Sequence, residues 1–395
     1  MPQEKVRPKI MRKAEGGKKE RRALAGPLSC ALFVLLLLGL SPSAPARVTG
    51  LCLDCHTMHN SQGGEPVALT NGAAWKGGAL TGDPEPSPQS HLLVTDCVGC
   101  HSSTGSETIV TLPGGGKVPI VYNQSLPLEP LAGGNFFWVV RDGDAYGHNV
   151  SGVGEPDGVL HSAPGRDRRT GFCADSCHDT LADPPSGKNY ERGGCRGCHV
   201  FTYHHEDNAV YRFLKGHGAE APADDLAPER RDIQKHPDYV AGREHPAWEQ
   251  NATRTEHNYY KGTDRAYKST GTALGQYHSV SAFCAGCHYA FHGPYDPLNS
   301  SGAGSAGPWL RHPTDVAIAT SGEYAGYDPI TDYSVETPVA WLDPETPDRS
   351  EAVVMCLTCH RAHGSDQPEL LRFDYDEMIA GSGRSSGCLR CHASK

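Results

Sequence analysis

Patterned runs of apolar residues are few in this chain. Residues 28–40 form one nearly unbroken apolar run. Runs rich in β-branched residues occur at 108–112 and 117–122, on either side of Pro113-Gly114-Gly115-Gly116. This predicts a β-hairpin with Pro119 on an edge strand. Residues 135–140 (Asn-Phe-Phe-Trp-Val-Val) read as a third strand. Helical spacing is confined to 226–234, 244–260 and 368–380, the last with Leu370, Leu371, Phe373 and Met378 as its apolar positions. Stretches rich in Gly, Ser, Pro and Thr lie between these segments and read as loop. The expected fold is mostly irregular, with short α-helices and a small β-hairpin.

Composition sharpens the problem. Only 37% of the 395 residues are hydrophobic and 8% aromatic, against 46 Gly and 30 Pro. Such a chain buries too little apolar surface to offset its ordering entropy unaided. Some other apolar body must supply the core.

The cysteines identify it. Of fifteen Cys, only Cys30 falls outside seven short motifs. Six read C-x-x-C-H: Cys52–Cys55–His56, Cys97–Cys100–His101, Cys195–Cys198–His199, Cys284–Cys287–His288, Cys356–Cys359–His360 and Cys388–Cys391–His392. The seventh, Cys173–Cys177–His178, has three residues between its thiols. C-x-x-C-H is the attachment signature of c-type haem. The thiols add across the vinyl groups, and the next His becomes the proximal iron ligand. In chain order these are sites 1 to 7, with Cys173–Cys177–His178 as site 3. Seven haem c groups, each with a large flat apolar face, make the expected core. The rival reading of the third motif attaches its haem through Cys177 alone. Structural zinc on the Cys pairs is a further alternative, disfavoured because a His follows every pair directly.

The N-terminus reads as an export signal, 1–46: a basic region, the apolar run, then Ala44-Pro45-Ala46 as a cleavage site. An uncleaved anchor is the alternative, but the run is shorter than the ~20 residues that span a bilayer. No stable membrane insertion is expected after cleavage. Residues 1–46 hold nine basic and three acidic residues, which leaves 27 basic against 43 acidic and a net charge of −16. A polyanion of this kind excludes nucleic acid as a ligand and suits cationic or metal-oxide partners.

An internal repeat brackets the chain. Residues 51–61 (LCLDCHTMHNS) match 355–365 (MCLTCHRAHGS), and each is followed by a second C-x-x-C-H. The resulting division is an N-terminal dihaem module with hairpin insertion (47–165), a central trihaem region (166–345) and a C-terminal dihaem module (346–395).

Each iron needs a second axial ligand unless it binds substrate. Fourteen of the twenty-one His are not proximal, while Met58, Met355 and Met378 are the only Met beyond the signal. Bis-histidine ligation follows, and with it low potential, since His/Met ligation raises it. His59 and His363 each lie three residues past a proximal His. On a helix both imidazoles would share one side, so neither completes its own site. The expectation is His59 at site 2 and His363 at site 7. His148, His312, His292, His205 and His257 are the other distal candidates. His204 and His217 compete with His205 and His257. His91, His161, His236, His245 and His278 read as solvated or hydrogen-bonded.

With these motifs, the chain resembles the secreted multihaem c-type cytochromes of metal-reducing and sulfur-metabolising bacteria. Their doubled module is matched by Cys52, Cys55, His56, His59, Cys97, Cys100 and His101, and again by Cys356, Cys359, His360, His363, Cys388, Cys391 and His392. The resemblance implies electron transfer in the periplasm or outside the cell, with other redox proteins or extracellular acceptors as partners. Some relatives stack into filaments, which implies a homopolymer as one form. The alternative is a nitrite, hydroxylamine or tetrathionate reductase with one open haem. Some such relatives carry C-x-x-C-K, and none occurs here.

Overall fold

A computed structural model describes residues 51–52, 56–62, 65–66, 92, 97–112, 115–165, 181–186, 193–199, 240–264, 278–288, 291 and 312–393. Its regular elements are short. The helices are α1 (Cys97–His101), α2 (Phe137–Asp142), α3 (Val280–Cys284) and α4 (Cys356–Cys359). The strands are β1 (Ser61–Gln62), β2 (Glu65–Pro66), β3 (Ser102–Ser103), β4 (Ile109–Thr111), β5 (Lys117–Pro119), β6 (Tyr122–Asn123), β7 (Gly242–Arg243), β8 (Tyr259–Lys261), β9 (Ala340–Trp341) and β10 (Ala352–Val353).

The expected hairpin is present. β4 and β5 pair antiparallel, Ile109 opposite Pro119 and Thr111 opposite Lys117. Pro119 sits where no neighbouring strand requires its missing N–H. The expected third strand at 135–140 is instead helix α2. Phe136 and Val139, three apart, are both buried, and the Asn135 side chain accepts from the Phe137 amide at 2.9 Å. Helical spacing, with the Asn135 side chain holding the Phe137 amide at the helix start, outweighs β propensity there.

The helix expected at 244–260 does not form. Trp248, Glu249 and Asn251 take positive φ, and the segment turns back between β7 and β8. The helix expected at 368–380 reduces to two single 3₁₀ turns, Pro368–Leu370 and Tyr375–Glu377. Positive φ at Glu369 and Leu370 breaks the first. The helix expected at 226–234 lies outside the described residues.

The main sheet runs β10-β9-β8-β7, with β8 and β9 parallel and the other pairs antiparallel. Alternation sends its side chains to two clusters. Tyr260, Ala340 and Val353 join Val240, Val280, Ala282 and Met355, against which Phe283 and Leu357 of the motif helices pack. Trp341 and Ala352 join Tyr333 and Val339 on the other face. The sheet thereby carries α3 and α4, which hold sites 5 and 6. The Ser281 hydroxyl ties them together, accepting from the Cys356 amide at 3.1 Å. Met355, buried in this cluster, is committed to packing. Arg47–Lys395 forms one unit by its internal contacts, in which segments far apart in sequence meet. Gly364, for example, bridges to Gly134 and Gly147.

Candidate functional site

Each described motif is a single helical turn. The His amide donates to the carbonyl of the first Cys in five of them: His56 to Cys52 (2.8 Å), His199 to Cys195 (2.9 Å), His288 to Cys284 (2.9 Å), His360 to Cys356 (3.1 Å) and His392 to Cys388 (3.1 Å). Cys97–His101 is α1 itself. Positions i, i+3 and i+4 share a face on such a turn. Two sulfurs and an imidazole therefore converge, as one porphyrin requires. The thiols stand in for thioether sulfurs. Site 3 (Cys173, Cys177, His178) and Cys55 lie outside the described residues.

The imidazoles are oriented through Nδ1. His101 donates to Pro119 O (2.8 Å), His288 to Pro164 O (2.9 Å) and His360 to Glu369 O (2.7 Å). His392 donates to the Glu323 carboxylate (2.7 Å). A carbonyl or carboxylate oxygen only accepts, so Nδ1 carries the proton and Nε2 keeps its lone pair for a metal. His148 and His312 show the same tautomer, donating to Ala362 O (2.6 Å) and Pro313 O (2.9 Å). His245 is the contrast. Its Nδ1 accepts from the Ala247 and Glu249 amides, at 3.2 Å each. That places its proton on Nε2 and makes it the hydrogen-bonded, structural residue the sequence suggested.

Three pairs of imidazoles lie close together. Ring centres are 6.1 Å apart for His148 and His288, 6.3 Å for His199 and His363, and 6.2 Å for His312 and His392. Two imidazoles bound through Nε2 to opposite faces of one metal have centres about 6.2 Å apart, given a metal–nitrogen bond of about 2.0 Å. Each pair joins one motif His to one non-motif His. Burial lowers the pKa of His363, His288 and His148, which favours the neutral form a metal ligand needs. It pushes His363 down to about 3, with His199 as the next cause. It pushes His288 down to about 4, with His148 next, and lowers His148.

The expectation places His363 at site 7. In the structure its ring lies beside His199 of site 4, and His312 lies beside His392. The helical premise fails because α4 stops at Cys359 and His360 is already extended (φ −114°, ψ 157°). The chain then crosses to the 133–148 loop. The His363 amide donates to Gly133 O (2.7 Å), and the His148 amide donates to His363 O (3.3 Å). Glycines allow this approach. A Cβ on Gly133 would lie 2.9 Å from His363 Nδ1, and one on Gly134 (φ +81°) would lie 1.9 Å from Gly364 O. Phe136 stacks on the His363 ring at 4.7 Å. One main-chain clasp thus holds His148 beside His288 and His363 beside His199.

His59 is exposed and takes φ 56°, followed by Asn60 at φ 75°, so the helix has ended there too. His257 is buried between the Tyr259 and Tyr333 rings, 4.2 and 3.6 Å away. Its Nδ1 donates to Asn258 O at 2.7 Å. Among the described ring contacts none brings a motif imidazole to it. His205, His204, His217 and His292 lie outside the described residues. Sequence reasoning missed Glu323, Gly133 and Phe136, and nothing local in the sequence marks them.

The sites are neighbours. Cys195 packs with Val98, Phe136, Val139 and Val150, joining sites 2 and 4. Cys284 lies beside Cys356 and near Cys198, which sets sites 4, 5 and 6 together. Cys359 lies near Cys388 and Cys391, which sets site 6 by site 7. Among the described residues no three His, Cys, Asp or Glu side chains converge as a metal-ion shell; the imidazoles come in pairs. Among them, too, no helix is long and apolar enough to cross a membrane.

Comparison with known proteins accords with these features. Residues 351–395, which hold sites 6 and 7, match the family model of the doubled CXXCH motif. The chain is 26% identical to the C-type cytochrome OmcS of Geobacter sulfurreducens, over 92% of this chain and 89% of that protein. Among solved structures it is similar to the Outer Membrane Cytochrome S Filament from Geobacter sulfurreducens, at 18% identity and a TM-score of 0.41. It is likewise similar to the OmcS nanowires of that organism seen by cryo-EM, at 20% identity and a TM-score of 0.41. Each covers 84% of this chain and 85% of the other.

Proposed function

We propose that this multihaem c-type cytochrome attaches seven haems at sites 1 to 7 and passes electrons along them, outside the cytoplasm. The observation that carries the reading is the set of three close imidazole pairs at the spacing of a shared metal. A bound haem supplies a one-electron iron couple at each site. The chain's own residues do the rest. The paired cysteines fix the porphyrin, and Nδ1 hydrogen bonds aim the imidazoles. Ligands on both faces leave no position for substrate.

In this reading His363 completes site 4, His148 site 5 and His312 site 7. His59 completes site 2. The remaining sites draw on His205, His292 and His257. The thiol contacts give a spatial order of 2, 4, 5, 6, 7. The sequence modules 47–165, 166–345 and 346–395 follow a cleaved signal, 1–46. The proposed partners are redox proteins, extracellular acceptors such as metal oxides, and further copies of the chain.

Intact mass of the mature protein tests the count, with seven haem masses above the polypeptide expected. A mass with six removes Cys173, Cys177 and His178 from the sites. Near-infrared magnetic circular dichroism tests the ligands. Only bis-histidine bands are expected, and a high-spin population in the oxidised protein contradicts closed sites.

A further inference from the structure

We infer that Glu323 sets site 7 at a lower reduction potential than its neighbour, site 6, so that an electron shared between them rests on site 6. The inference depends on the haem reading above. It starts from a difference among the ligand imidazoles. His101, His288, His360, His148 and His312 give their Nδ1 proton to main-chain carbonyls. His392 alone among these described imidazoles gives it to a carboxylate, Glu323 Oε1, at 2.7 Å. Both side chains are only 27% exposed, so water screens the contact weakly. Glu323 belongs to the 3₁₀ turn Gly322–Tyr324, and the Tyr324 ring meets the His392 ring edge-on at 5.3 Å.

A hydrogen bond to an ionised acceptor is roughly twice as strong as a neutral one. It draws the Nδ1 proton away from His392 and leaves Nε2 a more basic donor. A more basic axial ligand favours ferric over ferrous iron, which lowers the potential. Reduction adds one electron at the iron, and no proton leaves the Glu323–His392 pair.

Site 6 has the opposite setting. The His360 carbonyl accepts from Arg372 Nε at 3.1 Å, and Arg361 is the next residue. Both guanidiniums are otherwise satisfied by main-chain carbonyls: Arg361 by Leu131 (3.1 Å), Arg372 by Val335 (3.0 Å) and Ala132 (3.2 Å). Two guanidiniums against the one carboxyl of Glu249 beside His360 favour the site that holds the extra electron. Carboxylate on one ligand and guanidiniums behind the next therefore tilt the 7-to-6 step.

The test is a redox titration of the holoprotein, wild type against Glu323→Gln, with Glu345→Gln in an exposed loop as control. Gln keeps an acceptor oxygen for His392 and loses the charge. The His312 and His392 rings cross at 88°, so site 7 should give a strongly anisotropic low-spin EPR signal by which to follow it. The expected result is that this one haem rises in potential by roughly tenfold in its oxidised-to-reduced ratio, ~59 mV for one electron. The other haems and the control should hold. A low-spin site 7 whose potential stays or falls in Glu323→Gln overturns the inference and leaves the haem reading standing. A C-terminal peptide without haem mass, or a high-spin site 7 in wild type, overturns the haem reading at that site instead.

Discussion

Replacing His363 with Ala separates the two pairings argued above. The structure places its ring 6.3 Å from His199 and in contact with Phe136. Truncation removes one of two axial ligands at site 4 and the Phe136 stack, the latter worth about 0.5–1.5 kcal/mol. The clasp survives, because it is built from the main chain: the His363 amide to Gly133 O and the His148 amide to His363 O. The variant should therefore fold with all haems attached and one iron open. Reduced protein should bind one carbon monoxide per chain, against none for wild type. His312→Ala should open site 7 in the same way. The double variant should bind two, because the sites are distinct. His363→Met should stay closed and raise one potential, since Met/His ligation does so. If the double variant binds only one carbon monoxide, or if the haem opened by His363→Ala is the one bound through Cys388 and Cys391, the pairing is refuted.

Three further outcomes follow from the same geometry. His148→Ala should open site 5 alone, seen as one bound carbon monoxide and located by a structure of the complex; no binding would remove His148 from the ligands. Gly134→Ala combines a left-handed backbone with a 1.9 Å clash on Gly364 O and should cost at least the ~1–3 kcal/mol of backbone strain, with a lower melting temperature and a high-spin fraction from displaced His363. For Glu249, burial raises the folded-state carboxyl pKa, so the native state disfavours the charged form, and stability is lost as pH rises from the ordinary carboxylate range through the raised value. Glu249→Gln should remove that loss, so its denaturation midpoint should gain on wild type as pH rises across that window, and parallel profiles would contradict the assignment.

The cysteine motifs and proximal imidazoles were legible because their chemistry is local. Two thiols and a His at i, i+3 and i+4 need only one helical turn. The hairpin at Ile109–Pro119 was legible for the same reason. Distal ligands were not, since nothing near His363 in sequence points to His199. A helix continued past His360 would put His363 toward site 7, but the chain turns extended there. Asn135–Val140 looked like a strand because propensity was weighed without the Asn135 side chain that holds the Phe137 amide. Glu323 and Gly133 act only through residues brought to them by the fold.

The most direct test of the whole account is an iron anomalous difference map of the holoprotein. It should show seven peaks, with one between His199 and His363, one between His148 and His288, and one between His312 and His392. Irons with imidazole on one face only, or with His363 on the iron held by His392, would contradict it.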